Sequence, residues 1–156
     1  MKKTLFIALF FSAIIYSCGS SGNSESTESG STTEQTPEEK QLAEGKGIGH
    51  FTNVETGAID PALQKKGMDL FQLKCTPCHR LTTEKLVGPG LKNVTVRRKP
   101  EWIMNMITNP ATMTQRDSAA KGLLEICLVQ MPNQQFTSDD EVRAILENFR
   151  NNDATK

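Results

Sequence analysis

The most regular apolar pattern in the chain lies near its carboxyl end. Apolar residues recur there at positions i, i+3, i+4 and i+7, the spacing that places side chains on one face of a helix. These residues are Val142, Ile145, Leu146 and Phe149. Residues 138–141 (SDDE) precede them and have the sequence of a capping box, which satisfies free amides in the first turn. The pattern predicts a helix that begins here.

Prolines and capping residues predict three further helices. Asp60 followed by Pro61 combines an N-cap acid with a proline at the first helical position, and this helix must stop by Pro77. Residues 100–108 form a second proline-led apolar segment, and a third helix is expected from residue 117 or 118 to 129. No alternation of apolar and polar residues predicts a strand. The predicted fold class is therefore all-α.

The amino-terminal part of the chain lacks this helical spacing. Residues 1–17 combine a basic start with an apolar stretch of 12 residues, too short for a membrane span of about 20 and typical of an export signal. Residues 18–58 have almost no large apolar side chain before Leu42, so we expect a disordered acidic linker there. The folded domain is expected at residues 59–152.

Charge is unevenly distributed along the chain although the formal net charge is zero. Residues 18–58 contain two basic and seven acidic side chains, whereas residues 59–156 contain fourteen basic and eleven acidic ones. Neither balance resembles the strongly basic surface of a nucleic-acid-binding protein. Residues 74–121 contain nine basic and only three acidic side chains. These charges could steer an acidic partner, or could simply form a solvated surface.

The residues that carry the chemistry are Cys75-Thr76-Pro77-Cys78-His79. C-x-x-C-H is the attachment signal for c-type haem. The two thiols form thioethers with the haem vinyl groups, and the adjacent His79 becomes the proximal iron ligand. A zinc site would need two more ligands at suitable spacing, and a thiol–disulfide site would need a neighbouring βαβ unit. The sequence provides neither, and a covalent haem would fill an otherwise thin helical core.

The order of motifs around this signal resembles class I (mono-haem) c-type cytochromes. Residues 67–71 resemble the first helix of that family, and residues 87–91 resemble the turn that follows its haem-attachment motif. Met131-Pro132, followed by the capped apolar helix, resembles the axial-methionine loop and last helix. The resemblance implies a small fold of about four helices around one covalently attached haem, and it implies one-electron transfer rather than enzymatic catalysis.

The resemblance also implies particular contacts. The Pro89 carbonyl would accept a hydrogen bond from the His79 ring nitrogen that does not bind iron. Met131 would supply the sixth ligand. The first and last helices would cross, with Gly67 packed against an aromatic side chain such as Phe149.

Several residues leave alternatives open. Other candidates for the sixth ligand are Met104, Met106, Met113 and His50. Arg97, Arg98 and Trp102 could contact haem propionates, or could form a solvated basic turn beside a core tryptophan. Cys127 lies among apolar residues, and we expect it to be a buried structural thiol.

Residues 15–18 (IYSC), directly after the apolar stretch, resemble a bacterial lipobox. This resemblance implies cleavage before Cys18 and lipidation of its thiol. The protein would then be exported and lipid-anchored to a bacterial membrane, facing the periplasm. An ordinary signal peptide followed by a free cysteine is the alternative.

Electron transfer between membrane complexes is the function that these resemblances imply. The expected donor is a quinol-oxidising complex, and the expected acceptor is a terminal oxidase or a nitrogen-oxide reductase. A haem enzyme or a haem-based sensor would need an open iron position. Methionine ligation by Met131 would leave none.

Overall fold

The computed structural model describes residues 35–136 and 138–155 as a helical fold with no strand among them. The helices are, in chain order, α1 (Pro37–Ala43), α2 (Pro61–Lys74), α3 (Val94–Arg97), α4 (Pro100–Thr108), α5 (Pro110–Arg116), α6 (Ser118–Cys127) and α7 (Asp139–Ala154). The prediction of an all-α fold is confirmed. The four predicted helices correspond to α2, α4, α6 and α7, and the short helices α1, α3 and α5 were not predicted.

Side-chain caps explain where two of the predicted helices begin. The carboxylate of Asp60 accepts hydrogen bonds from the amides of Ala62 and Leu63 at the start of α2. Asp117 caps α6 in the same way, through the amide of Ala120. Helix α6 ends two residues earlier than predicted, because Leu128 adopts a left-handed backbone conformation with φ of 59°.

The predicted capping box of α7 is wrong in one respect. Ser138 is the N-cap residue, but its side chain makes no capping hydrogen bond. The acidic residues of the first turn, Asp139, Asp140 and Glu141, instead lie where negative charge favours the helix dipole. A complete capping box occurs in α1, where Thr36 and Glu39 bond each other's backbone amides.

Helices α2 and α7 form the main packing contact of the fold. A Cβ atom placed on Gly67 of α2 would lie 1.8 Å from the carbonyl oxygen of Ala144 in α7, so the two backbones touch here. The expectation that Gly67 packs against Phe149 is corrected, because its nearest neighbours are backbone atoms of Ala144 and Ile145. The aromatic contact is instead between Phe71 and Phe149, whose ring centroids lie 5.8 Å apart at 82°.

The predicted linker is wrong for residues 35–58. Ile48 is 3% exposed and Phe51 is 8% exposed, and both belong to the hydrophobic core. This segment has few apolar residues, but buried polar side chains of the core bond its backbone, which offsets the cost of ordering it. The folded part therefore begins by residue 35 rather than 59.

The predicted signal peptide (residues 1–17), the lipidation site Cys18 and the first part of the predicted linker (residues 19–34) lie outside the described residues. In the part of the chain that the structure describes, none of the helices has both the length and the apolar character needed to cross a bilayer.

We expect Gly67→Ala to lower the free energy of unfolding by about 1–3 kcal/mol, because the added methyl group forces the backbones of α2 and α7 apart. Urea denaturation followed by circular dichroism measures this change. Gly122→Ala in α6 is the matched control, because nothing lies within 4 Å of a Cβ there. The control should raise the free energy of unfolding by up to about 1 kcal/mol through helix propensity. Equal behaviour of the two variants would contradict the close crossing.

Candidate functional site

The end of α2 places both thiols of the C-x-x-C-H motif and the imidazole in one tight turn. The amide of Cys75 donates to the carbonyl of Phe71 and so caps the helix. The amides of Cys78 and His79 then both donate to the carbonyl of Cys75, at 3.1 and 2.8 Å. This turn brings the two free thiols and the imidazole into the wall of one cavity.

The imidazole of His79 is held by the loop that follows the motif. Its Nδ1–H donates to the carbonyl of Pro89 at 2.9 Å, which is the hydrogen bond that the family resemblance implied. Gly88 packs directly on the ring, since a Cβ there would lie 2.4 Å from Cε1. The amide of Gly88 also donates to the carbonyl of Cys78. Because Nδ1 carries the proton, Nε2 presents its lone pair to a metal ion.

Burial favours the neutral forms of the His79 imidazole and the Cys75 thiol. Desolvation lowers the pKa of His79, and the opposing effect of the hydrogen bond to Pro89 is smaller. Burial raises the pKa of the Cys75 thiol to about 11. A neutral imidazole is the form that coordinates iron.

A cavity of about 220 Å³ opens beside the motif. Its walls are mainly apolar and come from the end of α2 with the motif, the loop after the motif, helices α3 to α7 and the loop of residues 129–134. The wall residues from α4, α6 and α7 are Trp102, Ile103, Met106, Ile107, Leu123, Leu124, Cys127, Ile145 and Phe149. Three charged side chains, Lys74, Arg97 and Arg98, also line it. A broad apolar space with a few polar groups at its edge is typical of a cofactor site.

Two methionines line this cavity, Met131 and Met106. Two hydrogen bonds, one on each side of Met131 in the sequence, hold the loop that contains it. The hydroxyl of Thr114 donates to the side-chain oxygen of Gln130 at 2.9 Å, and Nζ of Lys74 donates to the carbonyl of Gln135 at 3.1 Å. The first bond holds the loop against α5, and the second holds it next to the residue that precedes the C-x-x-C-H motif.

The other candidates for the sixth ligand lie elsewhere. Met113 is fully buried, and its sulfur accepts a hydrogen bond from the amide of Ile48 at 3.0 Å. Met104 is buried in the core and is absent from the cavity wall. His50 is exposed and pairs with Asp139 at 2.9 Å, again outside this cavity.

The basic turn and the tryptophan predicted as possible propionate contacts do meet at the cavity. The guanidinium of Arg98 lies 5.0 Å from the centroid of the Trp102 ring, within the range of a cation–π contact. The indole N–H of Trp102 donates to Asp117 at 3.1 Å. Arg97 bonds the carbonyls of Lys92 and Gly90.

The expectation for Cys127 is corrected. Its thiol is half-buried rather than buried, and it lines the cavity together with Cys75 and Cys78. Sequence reasoning also treated Gly88 only as a turn former and missed its packing on His79. The G-P-G sequence at residues 88–90 is the sequence feature that could have indicated this packing.

A zinc site was an alternative role for the cysteines of the motif. Across residues 35–136 and 138–155, no group of three or more His, Cys, Asp or Glu side chains is arranged to hold a metal ion.

Comparison with solved structures places this fold beside cytochrome c from Rhodothermus marinus. The two chains are 38% identical, with a TM-score of 0.67, over 75% of this chain and 98% of that one. An engineered cytochrome c from the same organism, bound to a carbene intermediate, is 39% identical with a TM-score of 0.62 over 73% of this chain and 96% of that one. No protein-family model matches the chain, and neither does any curated protein.

Gly88→Ala should displace the imidazole of His79, because the new methyl group would overlap its ring. We expect the hydrogen bond to the Pro89 carbonyl to break, and ¹⁵N NMR of the imidazole Nδ1–H measures this directly. Gly57→Ala is the control, since a Cβ there meets nothing within 4 Å. A Gly88→Ala protein whose Nδ1–H signal matches the wild type would refute the proposed packing.

Proposed function

The chain belongs to the cytochrome c family, and from that premise we propose that it carries single electrons through one haem bound covalently in the cavity beside α4, α6 and α7. The observation that carries this proposal is the arrangement of His79. Its ring is fixed by the Pro89 carbonyl in the wall of an apolar cavity that the thiols of Cys75 and Cys78 also line.

The residues around the cavity fit a covalently held haem. Cys75 and Cys78 supply the two thiols for thioether bonds, and Nε2 of His79 supplies the proximal nitrogen. The bound haem would supply an iron ion that alternates between the ferrous and ferric states. The chain's own contribution is to orient the imidazole through Pro89, a bond that also raises its basicity as a ligand.

Met131 is proposed as the second axial ligand. It lines the cavity, and its loop is tied to Thr114 on one side and to Lys74 on the other. A thioether ligand favours ferrous iron and raises the reduction potential. With both axial positions filled by the protein, no position is left for a substrate, which favours electron transfer over catalysis.

The edge of the cavity suits contact with a redox partner. Val87 and Val129 line the cavity and are also 39% and 53% exposed, so an apolar rim reaches the surface. Lys74, Arg97 and Arg98 line the same cavity and add positive charge to it. Positive charge around the cavity would speed association with an acidic partner surface. We propose a quinol-oxidising complex as donor and a terminal oxidase or a nitrogen-oxide reductase as acceptor.

We also propose that the protein is exported and anchored by a lipid on Cys18. The support is the lipobox-like sequence at residues 15–18. The described fold begins at residue 35, so residues 19–34 would separate it from the membrane. Intact mass of the membrane-extracted protein tests this, because a lipidated chain that starts at Cys18 is heavier than an unmodified one.

Replacing both Cys75 and Cys78 by Ala should abolish covalent haem, while each single variant should keep one thioether. Intact mass of the denatured protein, expressed in a host that attaches haem, measures this. Cys127→Ala is the matched control, because that thiol lines the same cavity but lies outside the motif. Loss of covalent haem in Cys127→Ala, or its retention in the double variant, would contradict the assignment.

Met131→Ala should remove the near-infrared charge-transfer band of a methionine-ligated ferric haem and should allow CO to bind the reduced protein. Met106→Ala is the control, because Met106 is the other methionine in the cavity wall. The control should keep the band. If instead Met106→Ala loses the band and Met131→Ala keeps it, the sixth ligand is Met106.

A further inference from the structure

Helix α4 lies between two different surroundings. Trp102, Ile103 and Met106 line the cavity, whereas Asn105 faces the amino-terminal segment of residues 46–54, here called the strap. The helix has only nine residues, so it is too short to be stable by itself. Its position, and with it the position of the cavity wall, must be fixed by its neighbours.

Asn105 makes the central contact between α4 and the strap. Its side chain is fully buried. Its Oδ1 accepts from the amide of Phe51 at 3.1 Å, and its Nδ2 donates to the carbonyls of Lys46 at 3.0 Å and Phe51 at 2.9 Å. Gly49 allows this approach, because a Cβ there would lie 2.2 Å from Oδ1. One amide side chain thus bonds three backbone groups of the strap.

Other bonds reinforce the strap around this contact. The carboxylate of Glu101, also on α4, accepts from the amide of Val54 at 3.0 Å. The side-chain amide of Gln41 donates to the carbonyls of Gly49 and Phe51, at 3.1 and 3.0 Å. A buried polar group that loses its partner is costly, so the strap and α4 are energetically coupled.

We propose that Asn105 is a positioning residue that holds α4 against the strap and thereby keeps the cavity wall closed around the cofactor. This inference rests on the proposed function, because it concerns access to the iron. Transient local opening of a wall helix admits water and small ligands to a buried site. Loosening α4 from its outer side should therefore raise the rate of ligand entry, although Asn105 is not part of the cavity wall.

The test uses the oxidised haem-loaded protein and the rate at which cyanide replaces the protein's sixth ligand. We expect Asn105→Ala to raise this rate at least tenfold over wild type. Ala144→Gly is the control for general destabilisation, because Ala144 packs on Gly67 and does not line the cavity. The control should lower the urea midpoint but change the cyanide rate less than twofold.

A rate in Asn105→Ala within twofold of wild type overturns the proposal, and so does an equal acceleration in the control. Should Asn105→Ala fail to fold, Gln41→Ala replaces it in the test, because it loosens the strap without altering α4. Its cyanide rate is then compared with those of the wild type and Ala144→Gly, with the same expected and contradicting results. A wild-type protein without covalent haem would refute the proposed function itself. Normal haem attachment with an unchanged cyanide rate would refute only the role of Asn105.

Discussion

The hydrogen bond from Nδ1 of His79 to the carbonyl of Pro89 is the interaction on which the site depends. It fixes which ring nitrogen carries the proton and which one faces the cavity. Gly88 is required beside it, because any larger residue would push the ring away. The loop after the cysteine motif therefore sets the orientation of the His79 imidazole as much as the motif does.

The packing of the helices around the cavity supports the same placement of His79. The backbone contact at Gly67 lets α2 and α7 approach closely, and α2 ends at the first cysteine of the motif. On the opposite side of α4, the strap holds Asn105 and so completes the wall. The fold is small, and contacts outside the cavity support its walls at α7 and at α4.

Much of the fold and part of the site could be predicted from sequence because their signals are local. Asp60 with Pro61 marks the start of α2, and the C-x-x-C-H motif is by itself the attachment signal for c-type haem. The order of segment 35–58 could not be predicted, because its support comes from distant side chains such as Asn105. Cys127 was misjudged for a similar reason: apolar neighbours in sequence do not show that its helix faces a cavity.

The most direct test of the central claim is acid–acetone extraction of the wild-type protein, followed by its visible absorption spectrum. The account predicts that the pigment stays with the polypeptide, because two thioether bonds at Cys75 and Cys78 survive denaturation. A colourless polypeptide, from a host that attaches haem to other proteins, would contradict it.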